Sequence, residues 1–196
     1  MKTARHDTRE HILTTGEALC VQRGFNGMGL IELLKVAEVP KGSFYYYFPS
    51  KEAFGVAMLE RYFAAGHAHL REALDEQPGN QRQSVLDYYY HSLNRSQERD
   101  FTGCLSVKLS AEVCDLSEPM RNALDTGSKA LISTLAGALE RAVRQGTLWL
   151  DYPARDCAQN VFALWLGASL QSKISRDSAP LFSAWQEMKR MLPAPT

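Results

Sequence analysis

The sequence predicts an all-α protein of nine helices, and three observations carry that reading. No stretch alternates β-branched and polar residues over the length that a half-buried strand requires. Apolar residues recur three and four apart instead, as Leu30, Leu33 and Leu34 do, which stacks them on one helical stripe. Breakers and caps punctuate the chain, Pro78-Gly79-Asn80 and Gly146 most clearly.

The first helix is expected over residues 8–23, with Leu13 and Cys20 seven apart on its core face. A short second helix over 29–36 carries the leucine stripe. The third is expected over 40–47, because Pro40 has a φ suited to a first helical turn, where its missing N–H is not needed. Phe44 and Phe48, four apart, face the core; Lys41, Gly42, Ser43, Tyr45, Tyr46 and Tyr47 are left to project elsewhere. A long fourth helix over 51–76 stops at the Pro-Gly-Asn break. Helices over 81–97 and 103–114 follow, then a long one over 118–145, opened by Ser117 and Pro119 as N-cap and early-turn proline. After the loop TLWLDYP come helices over 154–175 and 180–191. These last two are apolar over more than one face, from Val161, Phe162, Leu164, Trp165, Leu166 and Leu170 to Leu181, Phe182, Trp185, Met188 and Met191. They therefore need neighbours on several sides.

Composition narrows the function classes. The 196 residues hold 22 basic and 22 acidic side chains, so a nonspecific polyanion binder, with its large basic excess, is disfavoured; a locally positive face on a neutral body is what remains. Residues 1–51 lean that way, with seven Lys or Arg against five acids, and Lys2, Arg5 and Arg9 can extend the face. There is no apolar run long enough to span a membrane and no apolar core of a secretory signal at the N-terminus, which points to the cytoplasm. The four cysteines, Cys20, Cys104, Cys114 and Cys157, are far apart and form no metal-binding spacing, so neither zinc nor any other metal is expected. The five histidines are not placed near a cysteine by sequence and no glycine-rich phosphate loop occurs; no catalytic residue and no cofactor is expected, and a cysteine-dependent enzyme is the weakest alternative.

Two apolar helices joined by a short turn, the second presenting hydroxyls, an ammonium and a glycine that lets the backbone approach, have the layout of a helix-turn-helix that reads double-stranded DNA. The run PKGSFYYYFPSKE, with the upstream HILTTGEALCVQRGF, resembles the signature of the TetR family of transcriptional repressors. The resemblance implies a nine-helix TetR-like fold, a helix-turn-helix domain over residues 1–50, and a regulatory and dimerisation domain over 51–196. It also implies a homodimer, paired through the last two helices, on a pseudo-palindromic operator, with Lys41, Gly42, Ser43, Tyr45, Tyr46, Tyr47 and Lys51 at the DNA. Two departures stand out. Met28 and Gly29 replace the usual Thr or Ser cap of the second helix, and Glu38 occupies the turn position where glycine is usual.

The second informative stretch is DFTGCLSVKLSAEVCDLSEPMR. With Thr102 as N-cap, Cys104 falls in the first turn of a helix, where the helix dipole favours thiolate, and Lys108 four residues on adds to the effect. Cys114, flanked by Glu112, Asp115 and Glu118, has the opposite setting. Free cysteines are most often small buried hydrophobes, and that reading stands beside the reactive one. The segments GCLSVKLSAEVCDLSE, ALWLGASLQSKIS and RHDTREH resemble an electrophile-responsive branch of the same family. The implied function is control of detoxification genes, with Cys104 as the sensor and electrophiles or oxidants as inducers. Lys173, seven after Leu166 on an apolar stripe, either snorkels to water or faces Cys104, in which case its amine can capture an oxidised sulfur as an S–N bond. A noncovalent organic ligand held among Tyr88, Tyr89, Phe101 and Trp165 is the alternative inducer.

Overall fold

The computed structural model describes residues 2–75, 79–98 and 105–195, with side chains from residue 7 onward in the first segment and to residue 96 in the second. Among the described residues there are nine helices and no strand: α1 (Lys2–Arg23), α2 (Leu30–Val36), α3 (Lys41–Tyr47), α4 (Lys51–Asp75), α5 (Gln81–Glu98), α6 (Leu105–Val113), α7 (Glu118–Arg144), α8 (Ala154–Ser175) and α9 (Ala179–Met191). The first helix starts six residues earlier than its apolar periodicity announces, because nothing between Lys2 and Asp7 breaks a helix. No helix among the described residues is long and apolar enough to cross a membrane.

Side-chain caps set several of these ends. The Ser50 hydroxyl accepts from the Ala53 N–H at 3.0 Å and opens α4. Asn80 does the same for α5 through the Gln83 N–H at 3.1 Å, and Ser117 for α7 through the Met120 N–H at 3.2 Å. Pro40 is the N-cap of α3, with φ −64° and ψ 149°, so the helix begins one residue later than expected: its extended ψ leads into the helix without belonging to it.

The chain divides into two compact units, residues 1–62 with 104–127, and residues 63–103 with 128–196. The expected boundary at residue 50 thus falls inside the first unit. In that unit Ile12, Leu13, Cys20, Met28, Leu33, Phe44, Phe48, Phe54, Met58 and Leu59 are buried. Phe44, Phe48 and Phe54 pack as a triad with centroids 5.2–5.6 Å apart. Arg61 on α4 fastens α1 by donating to Glu10 and Glu17, at 2.7 Å each, and to the Thr14 hydroxyl at 2.9 Å.

The core of the second unit gathers Leu70, Leu74, Val85, Leu86, Tyr89, Leu135, Leu139, Ala142, Cys157, Val161 and Met188. Trp165 is half-buried and packs against this core, its ring 5.0 Å from that of Tyr89. Trp185 points inward as well, its indole N–H donating to the Leu86 carbonyl at 3.1 Å. The apolar excess of α8 and α9 that stays exposed is Leu170, Ile174 and Phe182.

Candidate nucleic-acid interface and sensor region

The candidate interface is α3, held by the turn from α2. That turn closes as a Schellman cap: the Glu38 N–H donates to the Lys35 carbonyl at 3.3 Å and the Val39 N–H to the Leu34 carbonyl at 3.1 Å. The cap needs a left-handed residue, and Glu38 supplies it at φ 53°. Glycine is usual here for that reason, and a side chain in this region costs about 1 kcal/mol. The His11 ring nitrogen, 2.9 Å from the Ala37 carbonyl, ties the same corner to α1.

Phe44 on α3 and Phe48 at its C-cap are buried. Lys41 and Gly42 are exposed, Ser43 and Tyr47 half-buried, and Tyr45 and Tyr46 exposed by 46% and 65%. The Lys41 ammonium stands 5.9 Å above the Tyr45 ring. Nothing lies within 4 Å of where a Cβ of Gly42 would be, so the backbone is open to close approach there. These six residues share one short helix. Lys51 lies apart from them: its ammonium donates to the Phe25 carbonyl at 2.8 Å and stands 4.7 Å over the Phe25 ring, so this lysine holds the corner after α1.

The missing cap of α2 is real. Gly29 is its N-cap with no side-chain bond, while Met28 is fully buried with its sulfur 3.8 Å from that of Cys20. A capping hydroxyl has been exchanged for packing. Sequence reasoning also missed Ile31, at 84% the most exposed large apolar side chain among the described residues; the signal was its place off the Leu30, Leu33, Leu34 stripe.

Of the sensor elements, Cys104 lies outside the described residues, as do Phe101, Thr102 and Gly103. Lys173 is half-buried in the last turn of α8. The Lys108 ammonium, expected to support a Cys104 thiolate, donates to the Val21 carbonyl at 2.6 Å; the thiol of that expectation lies outside the described residues. The Glu112 carboxylate, assigned by sequence to the surroundings of Cys114, accepts from the Phe25 N–H at 3.0 Å and from the Asn26 N–H. Lys108 turns to a carbonyl in the last turn of α1 and Glu112 to N–H groups of the turn after it, both charge-assisted bonds.

Cys20 and Cys157 are buried, while Cys114 is half-buried. Burial, and then the Glu112 charge, push the Cys20 thiol up to about 12. Burial also raises Cys157, against a hydrogen bond with Tyr152 that lowers it. Tyr88, Tyr89 and Trp165, proposed to hold an organic ligand, pack ring on ring, with Tyr88 and Tyr89 at 5.2 Å. A groove of about 350 Å³ elsewhere in that unit runs between α4 and α7, lined by His67, Arg71, Ser133, Thr134 and Arg141. No group of histidine, cysteine and carboxylate side chains able to hold a metal occurs among the described residues.

Comparison with known proteins agrees in both parts of the chain. Residues 12–58 match the family described as bacterial regulatory proteins, tetR family, and residues 79–188 match the tetracyclin repressor-like C-terminal domain. The HTH-type transcriptional repressor NemR of Escherichia coli strain K12 is 55% identical over 195 residues, covering 99% of this chain and 98% of that protein. The HTH-type transcriptional repressor DhaR of Mycobacterium sp. strain GP1 is 29% identical, covering 91% and 88%. The crystal structure of E. coli NemR in its reduced form has a TM-score of 0.91 at 53% identity, covering 97% of this chain and all of that one.

Proposed function

Because this chain belongs to the TetR family of bacterial transcriptional regulators, we propose that it is a homodimeric repressor which leaves its operator when Cys104 is modified by an electrophile or oxidant. One observation carries the DNA-binding half: α3 turns Phe44 inward, as its C-cap Phe48 is, and leaves Lys41, Ser43, Tyr45 and Tyr46 on its outer side. Those groups suit phosphate oxygens and base edges. In a dimer the two recognition helices enter successive major grooves about 34 Å apart, so a small change in the regulatory part misplaces one of them. A differential affinity of about 5.5 kcal/mol moves such a two-state balance from 1:99 to 99:1.

Support for the sensing half is chemical and comparative. Cys20 and Cys157 are buried with raised pKa values, which leaves Cys104 and Cys114 as candidates, and Cys104 immediately precedes α6. The similar E. coli structure is described as a reduced form of a repressor. Lys173 is the proposed partner of an oxidised Cys104: attack of its amine on a sulfenic sulfur forms an S–N bond with loss of water, and a thiol reductant reverses it.

The test is a footprint on the DNA flanking the gene, with untreated and maleimide-treated protein. Protection of a two-fold symmetric site that vanishes on treatment is expected. Protection that persists after complete alkylation contradicts the sensing half, and absence of any protected site contradicts the repressor reading. If a noncovalent ligand were the signal, Cys104→Ser would respond like the wild type.

A further inference from the structure

We propose that Lys108 and Glu112 are positioning residues that grip the corner between α1 and α2, and so carry a change at the start of α6 into the DNA-binding head; the inference rests on the repressor reading above. The two residues are one turn apart on the same face of α6. The lysine meets a carbonyl of the last turn of α1, and the glutamate meets N–H groups of the turn that follows it. The Lys108 ammonium takes the Val21 carbonyl, 2.6 Å away in the last turn, where the helix dipole is negative. The Glu112 carboxylate takes the N–H groups of Phe25 and Asn26, one on each oxygen.

Those two N–H groups converge because Gly24 is left-handed, at φ 81°, and successive amides beside such a residue form an anion-binding nest. A Cβ on Gly24 would lie 2.6 Å from a Glu112 oxygen, so the corner is shaped to admit this carboxylate. Lys51 of α4 holds the carbonyl of the same residue, Phe25, from its other side at 2.8 Å. The corner leads directly into α2 and thence to α3. All of these residues fall in one compact unit, and in sequence Cys104 immediately precedes α6. Lys108, Glu112 and Lys51 thus spend their charges on backbone at the end of α1 and in the bend that follows it.

The test uses the full-length protein, wild type against Lys108→Met/Glu112→Gln, a pair that keeps both stems and removes both charges. Operator affinity is measured before and after complete maleimide alkylation, which removes differences in thiol reactivity. In the wild type, alkylation releases the operator; in the double variant the fold-loss on alkylation should shrink about tenfold, the size of a typical allosteric coupling. Hydrogen exchange at the Phe25 and Asn26 amides gives a second readout: slow in untreated wild type, faster after alkylation, and fast in Glu112→Gln whether treated or not. Lys108→Arg, which keeps the cation, should restore much of the response.

A folded double variant that loses operator affinity by the wild-type factor overturns the proposal. So does wild-type protein that releases DNA while those two amides stay protected, a result readable even if the double variant fails to fold. If alkylated wild type keeps its operator, the sensing reading itself has failed and the proposal falls with it, a case distinguished by the wild-type arm alone.

Discussion

The exposed side chains of α3 and those of α8 and α9 differ at their tips. Tyr45 and Tyr46 leave 46% and 65% of their surface in water, but each ring ends in a hydroxyl, and Lys41 and Ser43 stand beside them. Leu170 and Ile174, four apart on α8, and Phe182 on α9 are exposed by 47%, 76% and 47% and end in carbon. The first face is content in water and suits a hydrated polyanion. The second is costly in water, which fits a second copy of the same apolar surface. Exposure alone says that a partner is wanted; the tip says of what kind.

The comparison breaks most severely where a residue of α3 faces inward. Phe44→Ala should cost about 3–5 kcal/mol of stability, seen as a much lower melting temperature, because Phe44 packs on Phe48 and Phe54. Tyr45→Ala on the same helix should leave melting nearly unchanged. Equal losses would show that the two sides of α3 are not distinct.

Ile174→Glu should turn the dimer into monomer by sedimentation, since an unpaired charge buried in an apolar interface costs on the order of 3–5 kcal/mol. Trp165→Glu should instead unfold the second unit, where that ring packs on Tyr89. A dimeric Ile174→Glu would move the interface elsewhere.

A smaller effect is expected at the DNA face. Lys41→Ala should weaken operator binding about tenfold and lower the slope of log affinity against log salt by about 0.9, the share of one phosphate contact. Tyr45→Ala should weaken binding with the slope unchanged. If neither variant alters affinity, α3 does not face the groove.

The mildest change sharpens the turn. Glu38→Gly should stabilise the head by up to about 1 kcal/mol in a denaturant melt, because it relieves a side chain at φ 53°. Gly146, at φ 68°, closes α7 by the same pair of hydrogen bonds and shows the usual solution. A destabilised Glu38→Gly would mean that the glutamate makes up for its backbone.

Most helix positions were legible in the sequence because breakers and caps are local: Asn80, Ser117 and Gly146 act within one turn of where they stand. Phe44 and Phe48 were legible as core from their spacing. The polar long-range bonds were not. Lys108 was read against its neighbour Cys104 and Glu112 against Cys114, yet both bond to residues more than eighty positions away, and nothing in helical periodicity encodes that choice. A helix apolar on several sides likewise does not say which side faces the core: Trp165, half-buried, packs on Tyr89. Lys51 matched the DNA-binding motif by position, while its ammonium sits on the Phe25 carbonyl.

The most direct test of the account measures two quantities on one sample during a maleimide titration: the fraction of protein alkylated at Cys104, by peptide mass, and the fraction of operator bound, by fluorescence anisotropy. The account predicts that binding falls in step with Cys104 modification, that Cys20 stays unmodified at neutral pH because its thiol is pushed up to about 12, and that Cys104→Ser keeps the operator throughout. Operator release by Cys104→Ser at the wild-type dose, or full binding by protein wholly alkylated at Cys104, would contradict it.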